Sequence, residues 1–200
     1  MKIAGLICKN FNIQYSRTDA KGSIQEYYEE ENMVAISDID TRALVRHIRD
    51  KGAMNGIISS EITDVDELKK KLVKVPSMQG LQLCSKVSTK EAYFYGDENA
   101  AMKVVVLDLG VKKNILRCLA DRGCYLKIFP MNATFEEMQS WNPDGYFFSN
   151  GPGDPAAMPE VVENVKKVTA TGYPVFGICL GHQALALSEG IGTYKMHNGH

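Results

Sequence analysis

The chain has 200 residues, 44% apolar and 24% charged, with 23 Lys and Arg against 24 Asp and Glu, a globular composition long enough for one large core or two smaller ones. Neither charge sign gathers in one segment, which argues against nucleic acid or a membrane surface as partner and leaves small molecules and proteins. Five cysteines without a short paired spacing argue against a disulfide framework or a zinc site and for a reducing compartment. Met1–Lys9 is too briefly apolar for a signal peptide and no run approaches a membrane span, so the expected location is cytoplasmic.

In chain order, Met33–Ile36 reads as a strand. Asp38-Ile-Asp-Thr41 then offers capping oxygens to a helix through Leu44, Ile48 and Lys51, stopped by Gly52. Asn55–Ser59 reads as a second short strand, and Asp64 opens a helix through Val65, Leu68 and Leu72 that ends before Pro76. The polar stretch Tyr95–Ala101 separates two textures, so residues 1–98 are expected to form a small α+β domain and residues 99–200 a second domain.

The second part alternates regularly. Lys103–Leu107 is a buried strand, Asn114–Arg122 a helix closed by Gly123, and Tyr125–Phe129 a strand. Thr134–Trp141 is a helix opened by the capping pair Thr134 and Glu137, followed by the strand Gly145–Phe148. A helix from Pro159 to about Ala170 precedes the strand Pro174–Gly177 and a final helix over Ala184–Ser188. Continuous apolar strands alternating with helices predict an α/β fold with a parallel sheet covered on both faces. Ligands on such sheets bind at the carboxyl ends of strands.

Gly177-Ile-Cys-Leu-Gly-His-Gln183 places Cys179 between a strand and a helix with glycines two residues to either side. A side chain at such a corner stands clear of the sheet, where the free N–H groups of a helix start favour an anion. Cys179 is therefore the candidate nucleophile, whereas Cys8, Cys84, Cys118 and Cys124 read as small buried hydrophobes. A sulfur attacking an amide needs donors for the resulting oxyanion. The Leu180 amide follows the nucleophile, and Gly151, in the loop Ser149-Asn-Gly-Pro-Gly-Asp-Pro155, can bring a second amide close. Gly153 permits another close backbone approach. Taken alone, this loop is also a plain Pro-Gly turn. Gln183 shares the face of Cys179 one helical turn on and can meet a polar substrate tail, while His182 reads as a packing residue rather than a base.

The elbow and the Gly-Pro-Gly loop together resemble the triad-type class I glutamine amidotransferase domain, which implies a flavodoxin-like fold. Val34–Arg42, Leu44 and Arg49–Gly56 resemble the N-terminal domain of the carbamoyl-phosphate synthase small subunit, and Asp108–Arg117, Asp121–Gly123 and Asn142–Gly145 match that subunit too. By position, the resemblance makes Cys179 the residue that forms a glutamyl thioester, the amides of Gly151 and Leu180 the oxyanion donors, and Gly153 and Gln183 glutamine-binding residues. It implies that ammonia passes to a large synthetase subunit, the partner, which makes carbamoyl phosphate for arginine and pyrimidine synthesis. ATP and Mg are expected on that partner, with no cofactor or metal in this chain.

The family's catalytic histidine and glutamate lie well downstream of the cysteine, and its first strands lie upstream of Met1. The resemblance therefore implies an internal fragment, inactive by itself, with a partial sheet. Two alternatives stay open: a folding or docking module without turnover, and the glutaminase of another amidotransferase, such as one feeding anthranilate or GMP synthesis.

Overall fold

A computed structural model describes residues 3–77 and 80–198, which divide into two compact units: residues 3–77 with 195–198, and residues 80–194. The composition change at 98/99 is thus not where the compact units part. Residues 80–95 belong with the second unit, and the reasons are specific. Gly80 N–H donates to Asp154 Oδ2 at 2.9 Å, Thr89 N–H to Asp108 Oδ2 at 2.7 Å and Met131 N–H to Ser88 Oγ at 3.0 Å.

The first unit contains β1 (Gly5–Ile7), α1 (Ile24–Glu30), β2 (Val34–Ile36), α2 (Thr41–Lys51) and α3 (Val65–Leu72). β1 and β2 pair in parallel, Gly5 opposite Val34, and α1 lies between them in the chain. Each helix starts on a side-chain cap. Ser23 and Glu26 form a capping box on α1 (2.8 and 3.1 Å), Asp40 accepts from Ala43 N–H at 3.0 Å, and Asp64 accepts from Asp66 N–H at 2.8 Å. Gly52 ends α2 at φ +89°, and His197 covers that end, accepting from Ala53 N–H with its carbonyl and placing Nε2 3.1 Å from the Arg49 carbonyl. Asn55–Ser59, expected as a strand, forms none. Asn55 Nδ2 instead donates to the carbonyls of Val75 and Pro76 at 3.0 and 3.1 Å. Tyr28 is the one large apolar side chain buried among the described residues of this unit.

The second unit is built on a five-stranded sheet in the order β3 (Tyr93–Tyr95), β5 (Cys124–Pro130), β4 (Met102–Asp108), β6 (Gly145–Phe148), β7 (Val175–Gly177). Four strands are parallel, as the continuous apolar runs predict, and β3 is an antiparallel edge strand that the pattern did not reveal. α4 (Lys113–Ala120) packs on one face through Leu116 against Val106, Leu126, Ile128 and Phe147. α5 (Phe135–Gln139), α6 (Pro159–Thr169) and α7 (Leu180–Ser188) cover the other through Met138, Val161, Val165, Val168, Leu180 and Ala184, against Val105, Leu107, Phe129 and Phe148. This is the α/β architecture with helices on both faces.

Burial also fixes the chemistry of two core groups. Cys84, fully buried, donates its S–H to the Pro152 carbonyl at 3.2 Å. Burial, with the nearby Asp108 charge adding to it, pushes its thiol up to about 11. Burial likewise pushes Tyr146 up to about 12, with Tyr173 contributing. In the unfolded chain these groups release protons at their ordinary, lower values, so above those values the unfolded state binds fewer protons and alkali favours it. Stability is predicted to be level through neutral pH and to fall as pH rises from about 9 toward 11. In Cys84→Ala the fall is expected to be shallower but still present, because Cys124, Tyr93 and Tyr146, which burial also raises, still contribute; urea unfolding at stepped pH checks this.

A second prediction concerns Gly181, where a Cβ would lie 2.1 Å from the Phe148 carbonyl oxygen. Backbone on both sides prevents relief, so Gly181→Ala is expected to cost about 3 kcal/mol, read from urea midpoints. Ala184, already an alanine in the same helix, serves as the control position for such a side chain.

Candidate functional site

β6 and β7 lie side by side and end together, Phe148 opposite Gly177, so the loop 149–154 and the turn into α7 leave the same edge of the sheet. Two main-chain bonds join them. The Ile178 N–H donates to the Phe148 carbonyl at 3.1 Å, and the Gly181 N–H to the Ser149 carbonyl at 3.0 Å. A Cβ on Gly177 would meet Gly181 C and His182 N at 2.7 Å, so both glycines flanking the cysteine are required by backbone crossing backbone.

Between them Cys179 sits at φ +53°, ψ −110°. A non-glycine residue there is strained, and the strain is held by the strand on one side and the helix on the other. The consequence is positional: Cys179 is exposed, while Leu180 next to it is buried and anchors the helix. This is the strand–turn–helix corner expected of a nucleophile elbow. Cys84 and Cys124 are buried as expected, and burial raises the thiols of both. Cys118 is exposed rather than buried, because it lies on the outer face of α4 opposite Leu116, and Cys8 is half-buried. Among the described residues no cluster of three or more His, Cys, Asp or Glu is placed to hold a metal ion, and no helix is long and apolar enough to cross a membrane.

Leu180 is the first residue of α7, so its N–H has no acceptor within the helix, and no hydrogen bond from it occurs among the described residues. The same holds for the Gly151 N–H. Gly151 rides directly over β4's exit, where a Cβ would fall 2.0 Å from the Leu109 carbonyl oxygen. Gly153 stands at φ +102°, bridged antiparallel to Gln82, with the Leu81 carbonyl 2.7 Å from where its Cβ would be. The close approach there is made by the chain's own segment 81–83, a partner that local sequence could not reveal. Gln183 is half-buried on the Cys179 side of α7. Its N–H donates to the Cys179 carbonyl at 3.0 Å and its carboxamide makes no hydrogen bond among the described residues. His182, expected to pack, is exposed.

Three side chains that sequence reading left without a role tie this corner together. Ser149, fully buried, accepts from Leu109 N–H at 2.9 Å and donates to the Asn150 carbonyl at 2.8 Å. Asn150 reaches the turn after β4 with both ends of its carboxamide. Asp108, also buried, accepts from Thr89, Gly110 and Val111 N–H groups at 2.7 to 2.9 Å. A cleft of about 260 Å³ lined by Gln82, Met131, Met158 and Val161 includes neither Cys179 nor Gly151.

Comparison with known proteins agrees with this geometry. Residues 105–200 match the family model "Glutamine amidotransferase class-I", and residues 1–58 match "Carbamoyl-phosphate synthase small chain, CPSase domain". Carbamoyl phosphate synthase small chains of a Synechococcus strain and of Thermosynechococcus vestitus are 41% and 42% identical over the whole chain. That of Yersinia pseudotuberculosis is 42% identical over 98% of it. The chain spans about half the length of these relatives, 54 to 56%. With both of its parts matched in the order those proteins carry them, the chain belongs to the carbamoyl-phosphate synthase small chain family, and its residues 105–200 to the class I glutamine amidotransferases.

Proposed function

We propose that this chain carries the nucleophile and oxyanion donors of a glutamine-hydrolysing subunit of carbamoyl-phosphate synthase. The observation that carries the reading is Cys179, exposed and strained at the elbow beside a helix-start amide without an acceptor. The Cys179 sulfur attacks the side-chain carbonyl carbon of glutamine, and the C=O electron pair moves onto oxygen. The Gly151 and Leu180 N–H groups donate to that oxyanion. Collapse expels the nitrogen as ammonia once it has received a proton, leaving a glutamyl thioester that water hydrolyses to glutamate and free thiol. Gln183 presents its carboxamide to the polar end of the substrate, and Gly153 keeps the facing loop close.

Ammonia then passes to a large synthetase subunit, on which ATP and Mg act, in a cytoplasmic route to arginine and pyrimidines. No histidine or carboxylate hydrogen-bonds Cys179 among the described residues, so turnover requires a proton acceptor from elsewhere.

Assembled with its synthetase partner, a protein carrying Cys179→Ser is expected to lose glutamine-dependent carbamoyl phosphate synthesis and keep ammonia-dependent synthesis. Loss of both in an intact complex would contradict the assignment. The chain by itself is expected to hydrolyse glutamine about 10²–10⁴-fold more slowly than the assembled enzyme, the typical contribution of a general base. Ordinary turnover by the isolated chain, measured as ammonia release, would show that it needs no outside base.

A further inference from the structure

The turn after β4, Asp108–Lys112, is fastened to the loop Ser149–Gly153 from two directions. From within, the Asp108 carboxylate takes the N–H groups of Gly110 (2.9 Å) and Val111 (2.7 Å). From the facing loop, Asn150 Oδ1 accepts from Lys112 N–H at 3.1 Å while its Nδ2 donates to the Gly110 carbonyl at 3.1 Å. Gly110 itself is at φ +123°, and a Cβ there would lie 3.3 Å from Gly151 Cα and 3.2 Å from Pro152 Cδ. The two loops are therefore in backbone contact, with one carboxamide spanning the seam.

We propose that Asn150 is a positioning residue, whose two-ended hydrogen bond to the Gly110–Lys112 turn sets where the next residue, Gly151, holds its N–H. The proposal rests on the reading of Gly151 and Leu180 as oxyanion donors. Only a carboxamide matches this seam, because it must accept at one end and donate at the other. A carboxylate of the same shape still accepts from Lys112 but sets its second oxygen against the Gly110 carbonyl. The Ser149 bonds to Leu109 and Gly181 hold the other end of the loop in place, so losing the Asn150 clamp frees the loop on the Gly151 side. A donor displaced by about 1 Å costs on the order of 10²-fold when it serves a developing charge.

The test compares two electrophiles on the 200-residue chain. The chloromethyl ketone analogue of glutamine, with CH2Cl in place of the side-chain NH2, alkylates Cys179. A C–S bond forms, the C–Cl bond breaks, chloride leaves and the thiol proton passes to water, while negative charge gathers on the ketone oxygen. Iodoacetamide alkylates the same sulfur, and the exposed Cys118 as well, by displacing iodide with loss of the thiol proton to water, and gathers no such charge, so its rate is read at Cys179 alone.

In Asn150→Asp the maximal rate of Cys179 alkylation by the ketone, followed by mass spectrometry of the Cys179 peptide, is expected to fall about 10- to 100-fold, its half-saturation concentration to move less than about threefold, and the iodoacetamide rate at the same peptide to stay within about twofold. If the unmodified chain reacts with the ketone without saturation, the oxyanion reading fails and this inference with it. If the unmodified chain saturates and Asn150→Asp matches it, only the role of Asn150 is overturned. Equal slowing toward both reagents also overturns it, by reducing Asn150 to general support of the fold. Should Asn150→Asp not fold, Asn150→Ser is read against the same outcomes.

Discussion

The end of β6 and the first turn of α7 press against each other backbone to backbone, and the rest of the second unit depends on that contact. Phe148 offers its carbonyl to Ile178 and lies where any side chain on Gly181 would have to go. Ser149 offers its carbonyl to the Gly181 N–H. A helix brought this close must leave the strand in a single step, and the residue at the step, Cys179, is forced into a positive φ. Leu180 and Ala184 are buried by the same approach and join the core formed with α6. The strain at one residue is thus offset by burial at its neighbours, and the strained residue is left on the surface where chemistry can reach it.

The strand order carries this local constraint across the sheet. β4 lies next to β6 and β6 next to β7, so the three exits stand in a row. Ser149 bonds to Leu107 and Leu109 on one side and Gly181 on the other. Asp108, buried and without a cationic partner among the described residues, is satisfied by three main-chain N–H groups, which suits a carboxylate used to hold a turn. Leu81–Leu83 closes over Gly153 and Asp154 from outside. Each loop is held by its neighbour as well as by its own residues, a means of keeping irregular backbone at fixed positions beside the candidate nucleophile.

What could be read from residues alone follows from how far each signal reaches along the chain. The strands β4, β5 and β6, the capping box at Thr134 and Glu137, and the Gly177–Gly181 elbow announce themselves within a few residues, and the structure places them as expected. β3 gives no such signal. Tyr93, Phe94 and Tyr95 form a three-residue edge strand with one paired side, and their partner β5 lies some thirty residues on. Composition could not assign that stretch to the sheet, which is why the polar segment after it looked like a boundary. β1 was missed for a related reason, since three residues pairing in parallel across an intervening helix leave no usable periodicity, whereas α1 carries a local signal of its own in the Ser23–Glu26 capping box. At the site, glycine spacing identified the corner, but not the segment that contacts Gly153. Nor did it reveal that Asn150 faces Gly110, because those partners are fixed only by strand order.

The loop 149–153 also sorts two sulfurs by environment. Pro152 accepts a hydrogen bond from Cys84, whose thiol is buried, pushed up to about 11 and kept neutral as part of the core. Ser149, three residues earlier, bonds to the first turn of the helix that Cys179 begins, where the sulfur is exposed. The thiolate is the reactive form, so a thiol that burial keeps protonated packs and one left accessible can react. A loop gripping a buried cysteine on one side gains a fixed anchor for the side it turns toward the exposed one. The stiffness of the candidate site therefore comes from packing beneath it and across its neighbouring strand ends, and substitutions at Cys84 or Asp108 should be felt at Gly151 although neither residue belongs to the elbow.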